Sequence, residues 1–304
     1  MLNKFNRWLL AALAIQLVLV VAVVSGVWLR PSGADSKPLL TGSREAIQEL
    51  RITDHSGDDA SNITLNRHDD GWQFIVNGVV IPASTARVDT LLDGLFDAQL
   101  SWPVAHSGSA AKRFETADDN FRRQLTLVTD DGEQTLYFGT SPSYQQLHVR
   151  RADDNAVYAI DLEANQLDAD GDHWLDNRLL QIEPSTLSQA TLNDIELYQT
   201  DDGWVTDGSV ANPNPAHWQD WLERWHSVIV SNLIDGDDAD SLTATDPVLT
   251  VDFGDAGQYR LFHDGDRYAL VSSLQDGLFR ISNGTGEALS NIDALWQDDP
   301  DEPS

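Results

Sequence analysis

Two twelve-residue stretches decide the fold: residues 84–95, STARVDTLLDGL, and residues 214–225, NPAHWQDWLERW. Each opens on a residue suited to a helix N-cap, Ser84 and Asn214, and Pro215 fits a first helical position. Apolar residues follow at helical spacing. They are Val88, Leu91, Leu92 and Leu95 in the first stretch, and Trp218, Trp221, Leu222 and Trp225 in the second. Cap and stripe correspond at a single offset of 130 positions. A shared cap and a shared stripe at one offset point to an internal duplication.

The flanks of the two helices repeat as well. Before the first, Ile63 and Leu65 lead through an Asp69-Asp70 turn to Gly71-Trp72-Gln73-Phe74. Before the second, Ile195-Glu196-Leu197-Tyr198 leads through Asp201-Asp202 to Gly203-Trp204. Alternation around a turn-rich dipeptide is a hairpin pattern. After the helices come strand-like runs at 125–128 and 135–138, then 147–150 and 157–160, against 249–252 and 259–262, then 268–271 and 278–281. Short helices are expected around 162–167 and 287–292. Each copy therefore reads as two strands, a helix, about four strands and a short helix. The fold class is α+β, a duplicated and mostly antiparallel sheet with one helix over a face. The expected organisation is a first repeat over 47–168, a bridge over 169–193, a second repeat over 194–295 and a disordered acidic tail over 296–304.

Ahead of the repeats, residues 8–29 read WLLAALAIQLVLVVAVVSGVWL, without a charge. At a rise of about 1.5 Å per residue they reach about 33 Å, enough for a hydrocarbon core of about 30 Å. Trp8 and Trp28 stand at the two ends, where indoles favour the membrane interface. A signal-peptide core is shorter, about 7–15 residues. The stretch is therefore read as an uncleaved single-pass anchor in the lipid bilayer. Residues 1–7 form a short cytoplasmic tail and residues 30–46 a tether. Lys4 and Arg7 precede the helix, and Arg30, Lys37 and Arg44 follow it. The more concentrated charges lie before it, which favours the large domain outside.

The formal net charge is −30, from 49 acidic and 19 basic residues. Such a surface repels phosphate backbones, so nucleic acid is excluded as a partner. Acidic residues scattered over turns suit a solubility adaptation to a salty medium better than one basic partner. The chain has no cysteine. This excludes thiol catalysis, and disulfides with it.

Chemistry-bearing patterns are sparse. Asp168, Asp170 and Asp172 have the odd-position spacing of a calcium loop, but His173 stands where a glycine is needed and Leu179 where a carboxylate is needed. The acidic run 235–240, DGDDAD, fails in the same way. The eight histidines form no HExxH pair. Gly284-Thr285-Gly286 lacks the third glycine of a dinucleotide loop. No catalytic residue, metal ligand or cofactor is therefore assigned. The stripe Trp218, Trp221, Trp225 has two readings: indoles packed on their own sheet, or a hydrophobic groove for a partner or apolar ligand.

Four groups of residues carry a resemblance: Gly71-Trp72, the helix over 84–96, Tyr137-Phe138-Gly139 with Pro142, and residues 174–180, WLDNRLL. Together they make residues 47–292 similar to the bacterial domain-of-unknown-function family 4340. Members resemble membrane-anchored proteins encoded beside ABC-2-type exporters of the gliding-motility kind. The resemblance implies a non-enzymatic accessory or scaffolding subunit in the bacterial inner membrane. Its soluble domain would be periplasmic and its partners an ABC-type permease and ATPase. The alternative is an envelope sensor or binding domain for a lipid or cell-wall glycan.

Overall fold

In the computed structural model the chain is described over residues 36–57, 59–265 and 267–297, together with residue 16. The expected anchor over 8–29 and the end of the acidic tail lie outside the described residues. Among the described residues no helix is long and apolar enough to cross a membrane.

Among the described residues, two eight-stranded antiparallel sheets and six α-helices make an α+β fold. The first sheet contains β1 (Glu49–Asp54), β2 (Ser61–His68), β3 (Gly71–Val76), β4 (Val79–Ala83), β5 (Arg123–Thr129), β6 (Gly132–Phe138), β7 (Gln146–Arg151) and β8 (Tyr158–Asp161). Its order is β8-β7-β6-β5-β1-β2-β3-β4. The second contains β9 (Gln189–Leu192), β10 (Ile195–Thr200), β11 (Gly203–Thr206), β12 (Val230–Ile234), β13 (Leu249–Asp252), β14 (Gln258–Asp264), β15 (Arg267–Ser272) and β16 (Leu278–Ile281). Its order is β11-β10-β9-β13-β14-β15-β16-β12. The helices are α1 (Thr85–Asp97), α2 (Gly108–Arg113), α3 (Gly171–Trp174), α4 (Pro215–His226), α5 (Gly236–Thr243) and α6 (Asn283–Ser290).

Seven strands occur in the same spatial order in both sheets: β8-β7-β6-β5-β1-β2-β3 matches β16-β15-β14-β13-β9-β10-β11. The eighth strand differs. β4 is added beside β3, whereas β12 is added beside β16, at the opposite edge. Each half thus has two strands more than its sequence pattern suggests. β9 falls within the expected bridge, and it is central rather than linking, because it pairs with both β10 and β13.

Period-two alternation builds the inner faces. Across the first sheet, Ile63, Ile52, Leu125 and Leu136 stand opposite one another on four strands. In the second, Leu249, Leu261, Leu270 and Phe279 do the same. The stripes of α1 and α4 are buried at all eight positions. At roughly 1.5–3 kcal/mol for a fully buried large apolar side chain, each stripe supplies several kcal/mol. The outer faces also carry helices. Beside α2, Ala111, Phe114, Ala117 and Val157 cluster; beside α5, Leu242 meets Phe262, Ala269 and Leu278.

Two local expectations are corrected. Ser84 occupies the N-cap of α1 but its side chain makes no capping bond; its backbone N–H donates to the Trp174 carbonyl instead, at 2.7 Å. Asn214 does cap α4, accepting from the Ala216 N–H at 3.0 Å. The last part of the tether is not a free linker, because the adjacent leucines Leu39 and Leu40 are buried in the core. Gly284 and Gly286 lie inside α6, whose N-cap Ser282 accepts from the Thr285 N–H at 3.1 Å.

Candidate functional site

The tryptophan stripe is interior. Trp218, Trp221 and Trp225 are all buried. Trp218 and Trp221 stack with ring centroids 5.2 Å apart, and Trp225 meets Phe253 at 5.5 Å and Tyr259 at 5.1 Å. The indole N–H of Trp221 donates to the Leu289 carbonyl at 3.0 Å. Those of Trp218 and Trp225 are buried with no partner. Two grooves border α4: Trp221 lines one of about 260 Å³ with His217, Asp220 and Arg224, and the half-buried Trp204 lines one of about 410 Å³ with Leu222, Glu223 and His226. The stripe is thus the packed underside of α4, and only the margins of Trp221 and Leu222 reach a groove.

The acidic runs serve local structure. The Asp168 carboxylate accepts from the Asp170 N–H at 2.9 Å, and Asp170 in turn caps α3 by accepting from the Asp172 N–H at 3.0 Å. In the run 235–240, Asp235 is the N-cap residue of α5, and Asp237 and Asp238 lie in its first turn, where the helix dipole favours negative charge. Among the described residues no three His, Asp or Glu groups are placed to hold a metal ion. The histidines are dispersed. His148 is buried, its Nδ1 2.9 Å from the Thr140 hydroxyl and its ring 4.4 Å from that of Phe114. Burial holds its pKa below the ordinary imidazole value.

What the structure does bring together is the seam between the two halves. Residues 174–177 lie between the edge strands β4 and β12. Leu175 bridges to Ala83, and the Asp176 N–H donates to the Pro82 carbonyl at 3.0 Å. On the other side the Asn177 carbonyl accepts from the Val230 N–H at 2.9 Å. The Gln181 side chain adds a bond to the Val228 carbonyl at 3.0 Å. The two added strands are therefore the ones that meet here, and both edges are covered. Asn77, on the β3–β4 turn, donates to the Asp235 carboxylate at 2.5 Å. Close by, burial and then the negative charges of Asp170 and Asp235 hold the Asp172 carboxyl above the usual carboxylate range.

An apolar patch accompanies the seam. Ile75 and Val80 face each other across the β3–β4 ladder and are 63% and 46% exposed. The second half meets this edge at Gln275, whose side chain donates to the Val80 carbonyl at 2.8 Å; the exposed Leu274 precedes it, its side chain beside Gly257. Sequence reading missed this patch. Its signal was Asn77-Gly78, both at positive φ (49° and 85°), the turn that type I′ hairpins favour.

The outer face of the first sheet offers a second surface. His55 stacks on Phe121 at 4.7 Å, Phe121 meets Tyr137 at 5.4 Å, and the buried Arg150 guanidinium lies 4.8 Å from the Tyr137 ring. Beside this row Thr53, Gln124 and Tyr137 stand opposite one another on three strands.

The family described as a domain of unknown function (DUF4340) matches residues 72–247. That span is more than half of the chain. The chain belongs to this family. The DUF4340 match runs from Trp72 in β3 through residues 174–177 to the connection before β13, so the strip that joins the halves lies within it. No curated protein and no solved structure matches this DUF4340 chain.

Proposed function

We propose that the chain is a non-enzymatic scaffolding subunit, anchored in the bacterial inner membrane by residues 8–29, with its two sheets on the periplasmic side. The observation that carries this reading is the seam patch. Ile75 and Val80 come from one half, and Gln275 of the other is bonded to the Val80 carbonyl, so a partner seated there would touch both at once. Exposed apolar side chains gathered at a covered sheet edge, on a surface otherwise rich in carboxylates, fit a protein partner. The resemblance noted in the sequence implies that this partner is an ABC-2-type exporter, a permease with its ATPase.

Affinity purification from native membranes in mild detergent should bring down a permease and an ATPase with the full chain. Ile75→Glu and Val80→Glu together should sharply reduce their recovery. Recovery of the chain alone, with those proteins present in the same membranes, overturns the reading. A second reading, binding of a cell-wall glycan, is supported by the row His55, Phe121 and Tyr137 on a polar sheet face, since aromatic rings beside amide and hydroxyl groups suit sugar faces. Saturable binding of glycan fragments that is lost in Phe121→Ala would favour it.

A further inference from the structure

Trp102 is 73% exposed and Val104 48%. They do not sit on a loose loop. The Val104 N–H donates to the Val157 carbonyl at 2.7 Å, and Ala105 forms a bridge with Val157. This segment runs beside the edge of the first sheet, so its apolar side chains are held outward by a fixed backbone.

Position gives the pair its meaning. Lys37 pairs antiparallel with Leu100, and Pro38 with Gln99. Followed back toward its start, that short strand heads for Trp102, two residues beyond Leu100. The apolar stretch 8–29 ends at Leu29, and Lys37 is eight residues further on. Eight residues span at most about 28 Å when fully extended. Lys37, paired beside the Trp102 segment, is therefore held within about 28 Å of the point where residues 8–29 would leave the membrane.

We infer that Trp102, with Pro103 and Val104, makes a second membrane contact, in the interfacial zone of the lipid bilayer. The inference rests on the anchoring by residues 8–29 proposed above. Indole rings favour that zone, where the ring body meets acyl chains and the N–H meets headgroups and water. The net charge of −30 opposes approach to anionic lipid, so the contact is with zwitterionic headgroups. A single tether leaves a domain free to swing. A second contact beside the tether removes most of that freedom and sets which side of the first sheet faces the membrane.

The chain has no cysteine, so Ser101→Cys, at an exposed position, carries a unique environment-sensitive fluorophore while Trp102 is kept. The full chain is reconstituted in phosphatidylcholine vesicles that contain a shallow nitroxide lipid. The label at 101 should emit to the blue of its value in water. It should be quenched several-fold more than a label at Val210→Cys in the second half. Adding Trp102→Ser should remove most of that quenching, and anionic lipid at low salt should weaken it. Flotation is scored in parallel. A chain that floats while the label at 101 reports water overturns the contact and leaves the anchor standing. A chain that does not float overturns both. Quenching that survives Trp102→Ser in full overturns the part assigned to Trp102.

Discussion

The backbone N–H of Ser84 donates to the carbonyl of Trp174 at 2.7 Å, so the first turn of α1 is tied to the strip that joins the two sheets. Trp174 is itself fully buried, and its indole N–H donates to the Asp168 carbonyl at 2.7 Å. Its backbone carbonyl thus holds the start of α1, and its buried side chain supports the acidic turn beside the seam. Trp174→Ala should cost about 3–5 kcal/mol, the usual range for a buried tryptophan. It should also separate the halves. Urea unfolding followed by tryptophan emission, which reports chiefly the second half, should no longer coincide with unfolding followed by far-ultraviolet dichroism. A loss below about 1 kcal/mol with coincident transitions would contradict this role.

The three indoles of α4 differ in their polar atoms. Trp221 has a hydrogen-bond acceptor in Leu289, whereas Trp218 and Trp225 bury an N–H without one. Replacement by Phe removes about the same volume at each position. At Trp221 it also breaks a bond and strands a carbonyl, at a cost of about 1–3 kcal/mol. At Trp218 and Trp225 it removes an unpaired donor, which offsets part of the cavity cost. Trp221→Phe should therefore be the least stable of the three variants in thermal unfolding. Equal losses at all three would remove the distinction.

These residues also mark how far the sequence can be read. Helical periodicity is local, so the stripe and the offset of 130 are legible from the residues themselves. Whether the stripe faces a groove or a core depends on Phe253 and Tyr259, which reach it only through the folding of β13 and β14. β9 has four residues, only two of them buried and apolar, and it is a strand because β10 and β13 hold it from both sides. β12 escapes a local reading because its apolar run follows a helix directly and pairs with a strand far along the chain. The seam patch depends on which edge meets which, and no periodicity encodes that. The Asn77-Gly78 turn is the exception, a local signal of the β3–β4 hairpin that carries two of the patch residues.

Gly139 is required by close approach rather than by backbone conformation. A Cβ there would run into the carbonyl oxygens of Phe114 and Glu115, both backbone atoms that cannot rotate away. The same approach lets the Thr140 N–H donate to the Phe114 carbonyl at 3.0 Å. Gly139→Ala should cost about 1–3 kcal/mol by overpacking. Gly108, where a Cβ would meet nothing, is the control, and Gly108→Ala should leave the thermal midpoint nearly unchanged.

His148 should make the first half acid-labile. Its folded pKa is lowered by burial from the ordinary 6.5, while in the unfolded chain it titrates near that value. Below about pH 6.5 the unfolded state therefore binds a proton that the folded state refuses. Stability from this group is complete above pH 6.5 and falls as pH drops toward the lowered folded value. His173, also lowered by burial, acts in the same direction. His148→Gln keeps a polar group near Thr140 but cannot titrate. Its stability deficit relative to the parent should shrink between about pH 7.5 and about pH 5.5. A constant deficit over that range would contradict the assignment.

Salt should stabilise the chain as a whole. Two effects oppose each other. Screening weakens exposed ion pairs such as Lys112–Asp119 and Arg151–Asp153, which solvent already weakens. It also weakens the self-repulsion of a chain with 49 acidic and 19 basic residues. Among the described residues eleven contacts pair an Arg or Lys with a carboxylate, most of them at the surface. They engage only a minority of the carboxylates, so relief of repulsion outweighs the weakening of the pairs. Raising NaCl from about 0.1 M to about 1 M shortens the screening length from about 10 Å to about 3 Å. The thermal midpoint should rise over that range and do so with NaCl and KCl alike, since the effect is one of ionic strength. A falling midpoint would mean that the ion pairs dominate. It would remove the argument that the acidity is a solvated adaptation to salt.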